Sequence, residues 1–378
     1  MYATHPVPAP SPSPVPVRAE HSGAEHSDAE HSGAQHSGAE FAELRRLVRQ
    51  EGLLERRPRY YLIKIAVLAA LLAAGWAAFF AVGDSWYQVG VAVYLAVVFG
   101  QTAFLGHDAG HRQIFRSRRL NDAVGLLLGD LMIGLSYGWW TGKHNRHHAF
   151  PNLPGRDPDI TIPVLAFTRD QARAWRGPAR ILVRYQAYFF FPLLLVEALS
   201  MHVISLAAVL RGRVRDRWLE LPLLIVHFAG YLAAVLLVLS PLRAVVFVVV
   251  QQGLFGLYLG CAFAPNHKGM PVLSEQETLD FLRRQVITSR NVRGGRLVET
   301  MLGGLNYQIE HHLFPAMPRP CLRRCRVVVR AYCARIGVRY CETGLLGSYR
   351  EVLRHLHAVG RPAPEATAAP GGNPAARR

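Results

Sequence analysis

Acidic residues are scarce in this 378-residue chain, with 26 Asp and Glu set against 43 Lys and Arg for a formal charge of +17. Cysteine is scarcer still. The five present (Cys261, Cys321, Cys325, Cys333 and Cys341) are odd in number and lack paired C-x-x-C spacing. That argues against a disulfide framework and against a thiolate zinc site, and it favours free thiols on a tail in a reducing compartment. A basic start followed at once by a short apolar core is also missing, so no cleavable signal sequence is expected. No Gly-rich dinucleotide fingerprint occurs, so the chain is not expected to hold its own nicotinamide or flavin. The arginines flank apolar runs and do not alternate with aromatics, which argues against a nucleic-acid surface.

Apolar sequence is plentiful: 51% of the residues are hydrophobic. High apolar content and high charge coexist easily when long apolar runs and Arg-rich loops are segregated along a membrane chain. Both ends look different. Residues 1–40 join a proline-alternating stretch, HPVPAPSPSPVPV, to four five-residue units, EHSGA, EHSDA, EHSGA and QHSGA. Neither part can bury enough apolar surface to offset its ordering entropy, so a disordered arm is expected, with His21, His26, His31 and His36 solvated. The Ala/Pro/Gly-rich residues 359–378 are expected to be a disordered tail, leaving residues 41–358 as one membrane domain.

Within that domain, residues 62–83 and 87–106 are each long enough, at ~1.5 Å per residue, to cross ~30 Å of hydrocarbon. Only Asp84, Ser85 and Trp86 separate them, so they predict a hairpin. Arg45, Arg46, Arg49, Arg56, Arg57, Arg59 and Lys64 precede it, Arg112, Arg116, Arg118 and Arg119 follow it, and the turn has no positive charge. Both ends are therefore expected on the cytoplasmic side. Residues 219–240 and 242–264 predict a second hairpin. Residues 186–210 are apolar too, but arginines crowd both flanks and Glu197 and His202 lie inside. A helix lying in the interface, or dipping in and returning, is expected there. The shorter run at residues 121–137 carries Asp130 and is placed at the interface as well. The expected fold is an all-α integral membrane protein: four transmembrane helices in two hairpins, interfacial helices, and a cytoplasmic helical cap.

Three histidine clusters fall on one predicted side: His107-Asp-Ala-Gly-His111, His144-Asn-Arg-His147-His148, and Gln308-Ile-Glu-His311-His312. Residues three or four apart share a helix face, so each cluster is expected to aim its imidazoles at a common point. Seven rings exceed the need of one tetrahedral zinc and suit a pair of borderline metals. His267, just beyond the last apolar run, is an eighth candidate. A single such pair is weak evidence of a site; three clusters on one side are strong.

The boxes GHDAGH, KHNRHHAFPN and NYQIEHHLFP resemble, in order and separation, those of membrane fatty acid desaturases. Asp157-Pro158-Asp159 matches a habit of that family, and Gln308 at the head of the last box resembles the front-end and some bacterial acyl-chain members. The resemblance spans about residues 61–350. It implies an O2-dependent desaturation of a fatty acyl chain by two iron ions held by His107, His111, His144, His147, His148, His311 and His312, with His267 as a further ligand. Removing hydrogen from adjacent unactivated methylenes is beyond any acid or base side chain, so a redox cofactor must supply the power. Asp108, Asp157, Asp159, Gln308 and Glu310 are candidates to orient the ligands. Trp139 and Trp140 are candidates to line the acyl entrance, or else to anchor the interface. His202 and His227, alone in apolar runs, are read as packed and hydrogen-bonded.

The chain lacks the His-Pro-Gly-Gly motif of a fused haem domain, so electrons are expected from a separate ferredoxin or flavoprotein reductase. The face bearing Arg283, Arg284, Arg290, Arg293 and Arg296 is expected to steer an acidic carrier or bind anionic lipid. The acyl group is expected on coenzyme A, a carrier protein or a lipid, at a bacterial-type cytoplasmic membrane with both termini inside. Two rivals remain: a di-iron hydroxylase or ketolase, and a metal-transporting membrane protein. The second is disfavoured because the clusters lie at span ends and not at the bilayer midplane.

Overall fold

The computed structural model describes residues 38–274, 276, 277 and 279–361. Most of the expected arm and nearly all of the tail lie outside them. Residues 38–50 are helical, so a helix starts inside the stretch assigned to the arm, and Glu40 pairs with Arg283 at 2.5 Å.

Four helices are long and apolar enough to cross a membrane: Pro58–Val82, Gln88–Gly110, Arg217–Val238 and Pro241–His267. Proline opens the first and the fourth in the first turn, where its missing N–H has no helical partner to lose. Gly83, at φ 61°, ends the first. The two hairpin turns meet, because Asp84 accepts from the Ser240 N–H at 2.9 Å and pairs with Arg243 at 2.6 Å. Phe79, Leu95, Phe99, Phe247 and Phe255 pack between the hairpins. Leu62, Val67, Leu236, Leu237 and Val249 point outward, as a lipid-facing surface requires. Gly100 lets the second and fourth spans approach closely: a Cβ there would sit 2.2 Å from the Tyr258 ring.

The two runs expected at the interface are both broken helices. Residues 118–132 and Tyr137–Ala149 meet at 114°, and Gln186–Leu194 and Glu197–Leu210 meet at 70°. A layer of short helices closes the end of the bundle away from the hairpin turns. Leu44, Val48, Leu282, Val286, Ile309, Leu313 and Val329 form its core. Cys321, Cys325 and Cys333 are buried in that core, which corrects the expectation of thiols on an exposed tail; all five cysteines are free. The all-α expectation misses one short parallel strand pair, Asn291–Arg293 with Glu342–Gly344.

Candidate metal centre

All of the histidines but His144 reach the centre from the last turn or cap of a helix. His107 lies in the last turn of the second span, and His111 follows one turn later, its N–H bonded to the His107 carbonyl at 3.1 Å. His267 is the last residue of the fourth span. Tyr137–Ala149 supplies His144, His147 and His148, and the short helix Gln308–Leu313 supplies His311 and His312. All eight rings come together. His107, His111, His144 and His311 offer nitrogens within 4.8 Å of one another, and His147, His267 and His312 form a second such group. His148 lies between the groups, its ring centroid 4.6 Å from His111 and 4.1 Å from His312.

The expectation that each cluster aims at one point needs correction. The second and third clusters divide between the two groups: His144 and His311 turn to the first, His147 and His312 to the second. Neighbouring residues point about 100° apart around a helix, so adjacent histidines diverge and serve two centres. The His311 and His312 centroids are 5.9 Å apart.

Hydrogen bonds behind the second group fix its tautomers. His147 Nδ1 donates to Asp157 at 3.0 Å, and His267 Nδ1 donates to the Thr288 carbonyl at 2.9 Å. His312 Nδ1 donates to Gln285 Oε1 at 2.8 Å, and the Gln285 amide is oriented because its nitrogen donates to the His148 carbonyl. With the protons on Nδ1, the rings turn their Nε2 atoms inward, 3.2 Å apart between His147 and His267 and 3.0 Å between His267 and His312. No proton is left to bridge them. In the first group, the Nε2 atoms of His107, His111 and His311 are buried without any partner. Imidazole nitrogens that converge in two groups, three of them buried without a partner, fit a metal pair, since borderline metals take neutral imidazole. Burial first, and the neighbouring imidazoles second, hold His111, His311 and His312 well below the usual histidine range, so these rings stay neutral at physiological pH.

The other candidates fall in three settings. Asp157 is fully buried and also accepts from the Asn152 N–H at 2.8 Å. Burial opposes its ionisation, but the His147 bond prevails and holds it below the usual carboxylate range. Asp159 lies 3.6 Å from His147 Nδ1 and is ion-paired with Lys143, which outweighs burial and holds it far below that range. Asp108 lies 3.5 Å from His107 Nδ1 and pairs with buried Arg319 at 2.6 Å. The Gln308 amide nitrogen is 2.9 Å from His267 Nε2, and its carbonyl oxygen is buried without a partner.

Glu310 is hydrogen-bonded to no imidazole among the described residues. It accepts from Asn291 and Tyr340 at 2.7 Å each, burial pushes it up to about 7, and the orienting role expected of it is corrected. The tryptophans part company. Trp140 stacks on His144, with centroids 4.6 Å apart, whereas Trp139 packs with Val209, Val214 and Leu224, away from the centre. The Arg-rich face is also smaller than expected, because Arg290 is buried and bonded to the Pro265 and Lys268 carbonyls. Sequence reasoning missed Gln285, Thr288 and Arg319, none of which belongs to a cluster or carries a spacing signal, and gave no role to Asn152, which closes the box KHNRHHAFPN.

A small apolar cavity of about 40 Å³ lies beside His107. Ala103, Gly106, Leu259 and Phe263 of the spans line it together with Ile133, Leu135, Trp140 and Met201. A larger cavity of about 1190 Å³, bounded by Thr168, Met270, Cys341 and His355, includes none of the eight histidines.

A helical membrane protein with a buried eight-histidine centre beside an apolar cavity is the class this geometry defines. The sequence model of the fatty acid desaturase family matches residues 84–344, and the chain belongs to that family. It is 32% identical over 86% of its length to the acyl-lipid (9-3)-desaturase of Physcomitrium patens, of which it spans 63%. It is 29% identical over 84% of its length to a Delta(6)-fatty-acid desaturase of Caenorhabditis elegans, spanning 74% of that protein. It is also 28% identical over 80% of its length to the Delta(8)-fatty-acid desaturase of Euglena gracilis, spanning 74%.

Proposed function

We propose that this protein introduces a double bond into a fatty acyl chain, using two iron ions and O2. The observation that carries the reading is the convergence of eight imidazoles in two groups bridged by His148, with the Nε2 atoms of His107, His111 and His311 buried and unpartnered, beside an apolar cavity. His107, His111, His144 and His311 would hold one ion and His147, His267 and His312 the other, with His148 between them. When bound, the ions supply the one-electron power toward unactivated C–H bonds that side chains lack.

The chain's own residues do the rest. Asp157, Thr288 and Gln285 hold three rings in the Nδ1–H tautomer, so the ligand atoms point inward before any metal arrives. Asp108, locked by Arg319, backs His107. The cavity walls present carbon to an acyl chain and keep water from the reacting methylenes. Trp140 touches both the cavity and His144, so it orients the chain against that ring.

The active site and both chain ends lie on the cytoplasmic side, the reading favoured by the arginines that flank the spans at the histidine end. Electrons come from a separate acidic ferredoxin or a flavoprotein reductase. Arg293 and Arg296 remain exposed for such an encounter, while Arg283 is engaged by Glu40 and Asp280. The acyl group arrives on coenzyme A, a carrier protein or a lipid. Expressing the full chain in a host of known lipid content should yield a new unsaturated fatty acid that is lost with His147→Ala. A hydroxylated product, or none, would contradict the reading.

A further inference from the structure

The polypeptide breaks at residues 133–136, between a π-helical turn, Leu127–Met132, and the helix Tyr137–Ala149. A break among membrane helices strands backbone groups that water cannot reach. Side chains from two other elements, and one from the segment itself, satisfy them. His227 Nδ1 donates to the Leu131 carbonyl at 2.9 Å, and His202 Nδ1 donates to the Gly134 carbonyl at 2.8 Å. Asp130 accepts from the Tyr137 N–H at 3.2 Å, and Glu220 accepts from the Gly138 N–H at 3.1 Å and from the Ser136 hydroxyl at 2.5 Å. Gly134, at φ 70°, lies directly on the His227 ring, which a Cβ would meet at 2.5 Å.

This pinned segment supplies one wall of the cavity beside His107: Gly129, Ile133, Leu135 and Tyr137 all line it. His202 and His227 do not line it. They act on it through the backbone. Resting on the reading above, we propose that the capped break is the positional gauge of the active site. Ile133 and Leu135 limit how the acyl chain lies against His107, and His202 and His227 are positioning residues that hold this wall in place. The double-bond position is then set in part by hydrogen bonds outside the cavity.

The test is the isomer distribution of the product, read by mass spectrometry after derivatisation that locates the oxidised carbons, with the full chain expressed in a host of known lipid content. Ile133→Ala and Leu135→Ala should yield a second regioisomer. His227→Leu, which cannot donate, should do the same, whereas His227→Gln, whose amide can reach the same carbonyl, should restore the parent ratio. Lower conversion with an unchanged isomer ratio in Ile133→Ala, Leu135→Ala and His227→Leu alike would overturn the proposal. If His227→Leu fails to accumulate, the two wall variants still decide it. A wild-type product that is hydroxylated would overturn the desaturation reading and leave the positional comparison intact, and no oxidised product at all would overturn both.

Discussion

At the scale of single residues, proton placement decides what the centre can do. An imidazole whose Nδ1 proton is committed to a carbonyl or carboxylate has one way left to be satisfied in a dry interior. Asp157→Asn weakens the acceptor behind His147 and should lower metal affinity about 10–100-fold, measured by competition with a chelator, with little change in fold. Arg319→Met should destabilise the protein by about 3–5 kcal/mol, because it leaves the Asp108 carboxylate buried and unpaired. Thermal unfolding in detergent would register that loss, and adding Asp108→Asn should recover part of it. Unchanged melting of the single variant would contradict the pairing. The eight histidines were legible because they repeat at helical spacings or end an apolar run. Gln285, Thr288 and Arg319 were not, since they approach from segments remote in sequence through interactions that leave no periodic trace.

Elements divide the clusters that the sequence presents as units. Helical twist sends His311 and His312 to different groups, so two centres are built from fewer segments than ligands. Turns carry a comparable constraint. Gly303 has φ 60°, and a Cβ there would lie 2.4 Å from the Phe104 ring. Gly295 has φ 69° with open space around it. Gly303→Ala should therefore cost about 1–3 kcal/mol more than Gly295→Ala, as the difference between their unfolding free energies. The cap gives a further check. Burial pushes the Cys333 thiol up to about 12 and Cys325 higher than usual, so neither forms thiolate near neutral pH. Alkylation of the native protein should spare both, and raising the pH to about 9 should change little, whereas unfolding should expose both. Rapid native labelling would contradict the packed cap. Helix lengths were readable from apolar runs, and a segment dipping in and returning was one expectation for residues 186–210, but the break near residue 133 was not readable. Capping groups from other helices sustain that break, and its local marks, Gly134 and the Ser136 cap, are too short a signal beside an apolar run.

Across the whole molecule, two hairpins joined at their turns by Asp84, Ser240 and Arg243 leave their opposite ends free to carry histidines. The cap returns to close that end: Arg56 donates to the Ala316 carbonyl at 2.8 Å, and the Arg319 N–H donates to Tyr61 at 3.1 Å. The spans were legible from hydropathy and charge, and a helical cap was expected, but the packing of the cap was not legible, because it joins residues near 44 with residues near 329. Metal stoichiometry bears hardest on all of this. The full chain, loaded anaerobically with ferrous iron, should hold two more ions than a variant carrying both His111→Ala and His312→Ala, which retains every histidine of the N-terminal repeats. X-ray absorption on the difference should report nitrogen ligation by imidazole. A difference of one ion or none would contradict a histidine-held metal pair.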